Sequence, residues 1–545
     1  MKLVCGLSLS LFAACFYRLY RVRSMFRVLT SKYDIPIVPH SFLFGHILVV
    51  ARLFKKHQSD VFGNYIPLFL SMEYPKLAEA GVFYVDLWPL APPMLSVFQP
   101  DMMAQFTQDT SLPKHKMMQR EFFPFTQCND LVNQEGPEWK MWRSIYNPGF
   151  SAKNLSAMVP AFVEEIQVLK DWLYGLAETR EVVQMQGQAM KTAIDVIGRA
   201  ILGVRLHCQT QDFPFYNALK NQVYWLLFDR MPSTIMKQLN PFRRLAIMKN
   251  NWIMKSFLLP YIKREIDEYR SGKSEGVKTI NSLAIKAYVN EMQASKETAG
   301  QPINLNTRFV EVAISQLKIF FLAGHDTTAT ALCSACHLLY RNPHTLSAMR
   351  DEHDQVFGPD PTTAAAQIAA NPQLLNQLPY TSAVIKETLR HYPPVGTVRQ
   401  GQPGFFLMQP ETGQRFPTDG FLVLSCSFTE HRMEQYFPRP LEFVPERWLA
   451  REGDALYVRK NAFRPFELGP RGCIGQELSQ LELRAMLVML MRELDIESAY
   501  ADDAPEVLGE KAYQVMIPGE VTGHPKDGIP IRVKVRDWRA QMSQT

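Results

Sequence analysis

Long helical patterns occupy most of the middle of the chain. Apolar residues recur at the spacing of a buried helix face in three stretches, Met158–Glu178, Leu258–Arg270 and Val310–Tyr340. Segments with strand character are few and short, namely Phe405–Leu407, Phe421–Ser425 and Ile529–Val535. The pattern therefore predicts a mainly α fold with small β-sheets. No repeat or low-complexity linker interrupts residues 31–545, which we expect to form a single domain.

The N-terminus carries an apolar run of the kind that membrane anchors use. Leu3–Tyr17 is apolar or small throughout, and four arginines follow between positions 18 and 27. Because positive charge marks the cytosolic side of a span, residues 1–30 are predicted to form a single-pass anchor with the remaining chain in the cytosol. The run is shorter than the roughly 20 residues that cross a bilayer core. A cleaved signal peptide and a peripheral helix therefore stay open as alternatives.

The next segment, Ile35–Phe54, mixes prolines with aromatic and aliphatic residues. This composition predicts the first packed strand and turn of the domain. A second contact with a membrane surface is the alternative.

Charge and cysteine content narrow the class of protein. The 545 residues carry a formal net charge of +6 without a dense Lys/Arg tract, which argues against a nucleic-acid partner. Eight cysteines at irregular spacing do not match a disulfide framework. We therefore expect a reducing compartment for the folded part.

One cysteine lies in a loop suited to chemistry. The segment Phe466–Gly475 presents Cys473 among glycines just before a helix predicted to begin near Gln476. Backbone N–H groups and a helix N-terminus favour a thiolate, which acts as a nucleophile or as an axial ligand to iron. Arg471 adds a positive charge that can meet an anionic group of a cofactor. Alone, the pattern also fits a small buried hydrophobic residue.

Four further segments favour a chemical role for Cys473 over that of a small buried hydrophobic residue. Glu387 and Arg390 lie one helical turn apart, and Arg447 can complete a buried network with Glu387. Trp139 and Arg143 would present an indole N–H and a guanidinium on one helix face, which suits carboxylates. The fourth segment, residues 323–328 (AGHDTT), places glycine, aspartate and two threonines in mid-helix. Such a break with helix propensity is typical of a functional site.

Together these segments resemble the conserved motifs of the cytochrome P450 superfamily. The resemblance extends from the proline-rich turn at Pro36 to the C-terminal sheet at Asp527–Arg536. It is strongest to the microsomal, eukaryotic branch, in which many fungal members tailor natural products. The resemblance implies the cytochrome P450 fold, mainly α with small β-sheets, after the N-terminal membrane anchor.

The resemblance also assigns roles to residues. It implies haem b as the cofactor, with Cys473 as the thiolate ligand to its iron and Phe466 packed beside the thiolate. The propionate-binding residues would be Trp139, Arg143, Arg399 and Arg471. Asp326 and Thr327 would relay protons during oxygen activation, while Ala323 and Gly324 open the helix beside the haem. Loss of Glu387, Arg390 or Arg447 would abolish haem incorporation.

The implied function is a monooxygenase that inserts one oxygen atom from dioxygen into a lipophilic small molecule in secondary-metabolite biosynthesis. Aromatic and aliphatic residues in the substrate-facing segments, including Leu112–Asn129 and Phe213–Met236, suit such a ligand. Desaturation, ring closure or oxidative coupling without oxygen insertion is the alternative, followed by a non-catalytic haem protein.

Electrons must come from a partner, since the chain has no flavin or nicotinamide fingerprint. The resemblance implies an NADPH-cytochrome reductase, with NADPH used only through it, and Lys140 and Arg464 are candidate docking residues. We expect a monomer on the cytosolic face of the endoplasmic reticulum membrane.

Overall fold

Helices dominate the computed structural model, which describes residues 2–227, 232–272, 278–294, 307–517 and 522–538. In chain order the α-helices are α1 Lys2–Tyr33, α2 Ile47–Lys56, α3 Tyr65–Glu73, α4 Pro75–Ala80, α5 Pro100–Ala104, α6 Lys116–Thr126, α7 Gly136–Tyr146, α8 Ala152–Thr179, α9 Met185–Leu202, α10 Pro214–Tyr224, α11 Pro232–Leu239, α12 Arg243–Arg270, α13 Ile280–Ala294, α14 Thr307–Arg341, α15 Pro343–Phe357, α16 Ala364–Ala370, α17 Pro379–His391, α18 Ser427–Glu430 and α19 Gln476–Met491. The predicted mainly α fold is confirmed.

The strands form small sheets. They are β1 Val82–Val85, β2 Met94–Val97, β3 Val183–Gln184, β4 Thr397–Gln400, β5 Phe406–Met408, β6 Arg415–Pro417, β7 Leu422–Ser425, β8 Leu494–Ser498, β9 Gln514–Val515, β10 His524–Pro525 and β11 Pro530–Val535. The largest has the order β1-β2-β7-β4, with β2 and β7 parallel and the other neighbours antiparallel. The remaining sheets are β3-β11-β8, β5-β6 and β9-β10, all antiparallel.

Helix α14 runs through the core and confirms the longest predicted helix. It is buried along most of its length because both polar and apolar faces meet other elements, chiefly α9. At Gly324 the two helices approach closely, since a Cβ there would lie 2.9 Å from Cδ1 of Ile197. Gly324 therefore serves helix packing. The helix continues unbroken through Ala323 and Gly324 and does not open there.

The first helix, α1, covers the segment predicted as an anchor, but its second half packs on the body of the protein. Arg23 is buried in an ion pair with Asp86 and donates a hydrogen bond to the carbonyl of Trp88 at 2.9 Å. Phe26 is buried and stacks on His40. Over the described residues, no helix is long and apolar enough to cross a membrane. The prediction of a transmembrane anchor over residues 1–30 therefore gains no support, because arginines follow the short apolar run at once.

The strand predicted within Ile35–Phe54 is wrong. This segment is irregular up to His46 and then forms α2. Helix α2 buries Val49, Val50 and Leu53 on one face and ends in two lysines, which suit a helix C-terminus.

A buried ion network joins α17 to the segment before the cysteine loop, as the sequence predicts. The Glu387 carboxylate accepts hydrogen bonds from Arg390 at 2.8 and 3.0 Å and from Nε of Arg447 at 3.1 Å. It also accepts one from the indole N–H of Trp448 at 2.9 Å and one from the backbone N–H of Val444 at 3.0 Å. Glu387 and both arginines are fully buried. Such a carboxylate is stable only because every lone pair has a donor.

We expect Glu387→Gln to lower the free energy of unfolding by about 3–5 kcal/mol, since it leaves two buried arginines without a counter-charge. Urea unfolding and haem content per chain measure the effect. Glu446→Gln is the matched control, because Glu446 is exposed and accepts its side-chain hydrogen bond from Tyr380. Equal stability of Glu387→Gln and the wild type would show that the network is dispensable.

Candidate haem-thiolate site

A tight turn presents Cys473 ahead of α19. The backbone N–H of Cys473 donates to the carbonyl of Phe466 at 2.9 Å, and that of Gly472 donates to the carbonyl of Gly469 at 3.0 Å. Gly469 has a φ of +91°, and a Cβ there would collide with the carbonyl of Thr107. Only glycine therefore lets this turn pack against the chain beneath it.

Cys473 is an exposed residue, whereas the turn that carries it is held by packing. The side chain is exposed, and Phe466 is half-buried beside it. Desolvation by the surrounding protein raises the pKa of the Cys473 thiol, and the N–H of Gly475, the charge of Arg143 and the N–H of Gln476 lower it by less. The loop alone therefore does not produce the thiolate that the sequence suggests, whereas coordination to a metal ion deprotonates such a thiol.

A buried arginine without a partner marks an anion site. Arg399, on β4, is fully buried, and none of its three guanidinium nitrogens finds a hydrogen-bond partner among the described residues. Burial lowers the pKa of Arg399. Glu467 and Glu135 act on Arg399 through their charge but do not hydrogen-bond to it. Since a buried guanidinium without a hydrogen-bond partner is costly, this position suits an anionic group of a cofactor.

The other predicted anion-binding residues gather around the cysteine turn. Arg471 donates two hydrogen bonds of 2.9 Å to the carbonyl of Gln134 and one of 3.2 Å to Glu135. Its guanidinium lies 4.4 Å from the centre of the Trp139 ring, and burial lowers the pKa of Arg471 to about 10. Arg143 donates to the carbonyl of Gly472 at 3.0 Å. The structure thus brings the predicted cations together.

Lys114 is a cation of this site that no sequence pattern indicated. Its backbone N–H donates to Glu135 at 2.7 Å, which fixes the residue beside the cysteine turn. Burial, and then the positive charges of Arg399 and Arg471, lower the pKa of Lys114 well below its usual value. Glu467 and Glu135 raise the pKa of Lys114 by less, so the carboxylates of the chain only partly offset the positive charge at this position.

Helix α14 exposes two positions in the middle of an otherwise buried stretch, and from this exposure and that of Cys473 we infer a hollow between α14 and the cysteine turn. Ala323 is exposed and Thr327 half-exposed, although the positions around them are buried. The hydroxyl of Thr327 donates to the carbonyl of Ala323 at 2.8 Å. The adjacent Thr328 donates to Ser479 of α19 at 3.3 Å, which places this part of α14 beside the helix that follows Cys473.

Asp326, the other predicted catalytic residue, is buried and contacts two residues near the C-terminal end of the chain. Its carboxylate accepts a hydrogen bond from Thr522 and lies 3.2 Å from Nε2 of His524. The neighbouring His325 is buried against Tyr216, with ring centres 5.8 Å apart. Over the described residues there is no cluster of His, Cys, Asp and Glu that would hold a separate metal ion.

Two sequence expectations need comment. Arg464, a candidate docking residue, is buried and donates to Glu467 and Thr107, so it is not available to a partner surface. Lys140 is exposed. Residues 228–231, in one of the predicted substrate-facing segments, lie outside the described residues.

The family model described as "Cytochrome P450" matches residues 73–521. The chain belongs to the cytochrome P450 family. It is 36% identical over 544 residues to cytochrome P450 monooxygenase polC of Polytolypa hystricis, covering 98% of this chain and 95% of the relative. It is 33% identical to cytochrome P450 monooxygenase acrF of Aspergillus aculeatus, covering 84% and 94%. The crystal structure of the cytochrome P450DA haem domain matches with a TM-score of 0.67 at 18% identity, covering 93% of this chain and 98% of that one.

Membership of the P450 monooxygenase family implies a haem, and the side chains of this P450 fit one. An accessible cysteine sulfur faces a hollow, and a buried guanidinium without a partner lies within the same group of cations as Lys114 and Arg471. A tetrapyrrole with two carboxylates supplies both the metal for the sulfur and the anions for the arginines. The buried guanidinium N–H groups of Arg399, which have no hydrogen-bond partner among the described residues, are the most specific evidence that the site fits a cofactor with carboxylates.

We expect Arg399→Gln to speed haem transfer to an acceptor protein by about tenfold or more, since a hydrogen bond to a charged group contributes about 1.5–3 kcal/mol. The matched control is Arg415→Gln in β6, because Arg415 is exposed and lies over the ring of Phe406. An unchanged transfer rate in Arg399→Gln would remove Arg399 from the haem-binding residues.

Proposed function

We propose that this P450 is a haem-thiolate monooxygenase that inserts one oxygen atom from dioxygen into a lipophilic small molecule. The observation that carries the proposal is the hollow between Thr327 of α14 and Cys473, with the unpartnered Arg399 among the cations beside it. When bound, the haem supplies the iron redox chemistry that activates dioxygen. The named relatives support this class of reaction, since polC and acrF are called monooxygenases.

In the proposed mechanism each side chain has a limited task. Cys473 would hold the cofactor as a thiolate, with Phe466 packed beside it. The propionates would be bound by Arg399, Arg471, Arg143, Trp139 and Lys114. Those contacts would orient the cofactor.

Proton delivery belongs to α14 in this proposal. Thr327 holds a proton at Oγ1, now donated to the Ala323 carbonyl, and turns it towards the hollow. Asp326 resupplies that proton. Most of the surrounding helix is buried, so the proposed proton route along α14 is confined to these two side chains.

Electrons come, in our proposal, from an NADPH-cytochrome reductase that docks on the exposed surface near Lys140. We place the protein at the cytosolic face of the endoplasmic reticulum membrane, in the biosynthesis of a secondary metabolite. A row of exposed apolar side chains on α11 and α12 supports contact with a lipid surface. The row contains Ile235, Met236, Leu239, Phe242, Leu245, Met248 and Trp252.

Isotopically labelled dioxygen tests the reaction. The purified protein, an NADPH-cytochrome reductase and a panel of lipophilic compounds are incubated together, and products are weighed by mass spectrometry. We expect a product that gains one labelled oxygen atom. Products that lose hydrogen or couple without gaining oxygen would contradict monooxygenation.

Thr327→Ala tests the proton route. We expect haem content to stay unchanged while product formed per NADPH falls about tenfold or more, with hydrogen peroxide rising in its place, because general acid catalysis contributes factors of this size. Thr328→Ala is the matched control, since its hydroxyl contacts Ser479 rather than the hollow. Full coupling in Thr327→Ala would exclude the proposed role of Thr327.

A further inference from the structure

The carboxylate of Asp326 is held by two residues of the C-terminal hairpin. The hydroxyl of Thr522 donates to Oδ2 of Asp326, and Nε2 of His524 lies 3.2 Å from Oδ1. Thr522 and His524 also lie within hydrogen-bond distance of each other, at 3.0 Å. Both hairpin residues and Asp326 are at most 8% exposed. The three side chains therefore form one buried polar cluster.

A glutamine on α9 fixes the orientation of the His524 ring. Gln186 donates from Nε2 to Nδ1 of His524 at 3.3 Å and to the hydroxyl of Thr330 at 3.0 Å. Because Nδ1 accepts this hydrogen bond, the ring proton lies on Nε2, the nitrogen that faces Asp326. The amide oxygen of Gln186 is buried without a hydrogen-bond partner among the described residues. A 180° flip of the Gln186 side-chain amide would let its oxygen accept a hydrogen bond from a protonated Nδ1. The cluster therefore accommodates His524 with Nδ1 either unprotonated or protonated.

These contacts matter because a relay group must be correctly aimed. A freely rotating Asp326 would not present a proton to Thr327 in a fixed direction. The Thr522 hydroxyl donates the hydrogen bond that holds one oxygen of the carboxylate, and His524 lies within hydrogen-bond distance of that hydroxyl and within ion-pair distance of the other oxygen.

We propose that His524 is a positioning residue for proton delivery, which together with Thr522 holds the Asp326 carboxylate in a fixed orientation from β10 and the residue just before that strand. This inference rests on the proposed function, because it assumes that Asp326 supplies protons to Thr327. It adds β10 and α9 to the elements that control the reaction. His524 itself stays outside the hollow and acts through Asp326.

The test compares single and double variants of the full-length, haem-loaded protein. We expect His524→Leu to lower product formed per NADPH by up to about a hundredfold, through kcat and with KM for the substrate unchanged, because a proton-transfer group contributes about a hundredfold or more and His524 acts on it indirectly. His524→Gln, which keeps a side-chain N–H that can donate to Thr522, is expected to recover much of that loss. Asp326→Asn is expected to cost far less in the His524→Leu background than alone, since both changes remove the same interaction.

A second readout does not depend on turnover. The thermal unfolding midpoints of the wild type, His524→Leu, Asp326→Asn and the double variant should be non-additive, since the two side chains contact each other. His337→Leu is the matched control, because His337 is a buried histidine of α14 that pairs with Glu510 at 3.1 Å. We expect it to retain the wild-type yield of product per NADPH. If His524→Leu does not fold, Thr522→Val removes the hydroxyl that donates to Asp326 and must give the same loss of coupling.

The outcomes separate this inference from the proposed function. If Thr327→Ala and Asp326→Asn both uncouple the reaction while His524→Leu behaves like the wild type, the inference is overturned and the relay stands. If Asp326→Asn itself is fully coupled, the relay assignment fails and the inference fails with it. A loss in His524→Leu equal to that in His337→Leu would show a general packing effect and would also overturn it.

Discussion

The buried carboxylate of Glu387 is the interaction on which the rest of the site depends. It balances Arg390 and Arg447 in a fully buried region, and Arg390 extends the network by donating to the carbonyl of His431 at 2.7 Å. His431 in turn accepts from the backbone N–H of Arg464 at 3.3 Å, and Arg464 pairs with Glu467 in the cysteine loop. A continuous path of hydrogen bonds thus connects α17 to the turn that presents Cys473. Removing the charge at its start would leave that path unanchored.

Electrostatics also explains why the residues assigned to haem binding suit a charged cofactor. Burial opposes ionisation of the thiol at Cys473 and disfavours the charged forms of Arg399, Lys114 and Arg471. A single cofactor that carries both a metal ion and carboxylate groups would stabilise the charged form of each of these side chains. The charged side chains of the site therefore suit a cofactor that brings its own metal ion and carboxylates.

The sequence could predict what depends on short spacing. Glu387 and Arg390, one turn apart, were predicted to pair and do so, and the long helix around Asp326 was placed within a few residues. Apart from the network of Glu387 with Arg447, where a motif pointed to the pairing, it could not predict contacts between distant segments. The contact of Asp326 with Thr522, which are separated by 196 positions, is an example. Nor could charge alone show that Arg464 is buried, because an arginine in a loop is usually exposed.

The carbon monoxide difference spectrum of the reduced protein tests the central claim, ligation of the haem iron by the Cys473 thiolate, most directly. The wild type is predicted to show the long-wavelength Soret band of a thiolate ligand, and haem-loaded Cys473→His is predicted to lack it. Cys128→Ser, at a half-buried cysteine outside the loop, should keep the band. A haem-loaded wild type without that band, or a Cys473→His variant that retains it, would contradict the account.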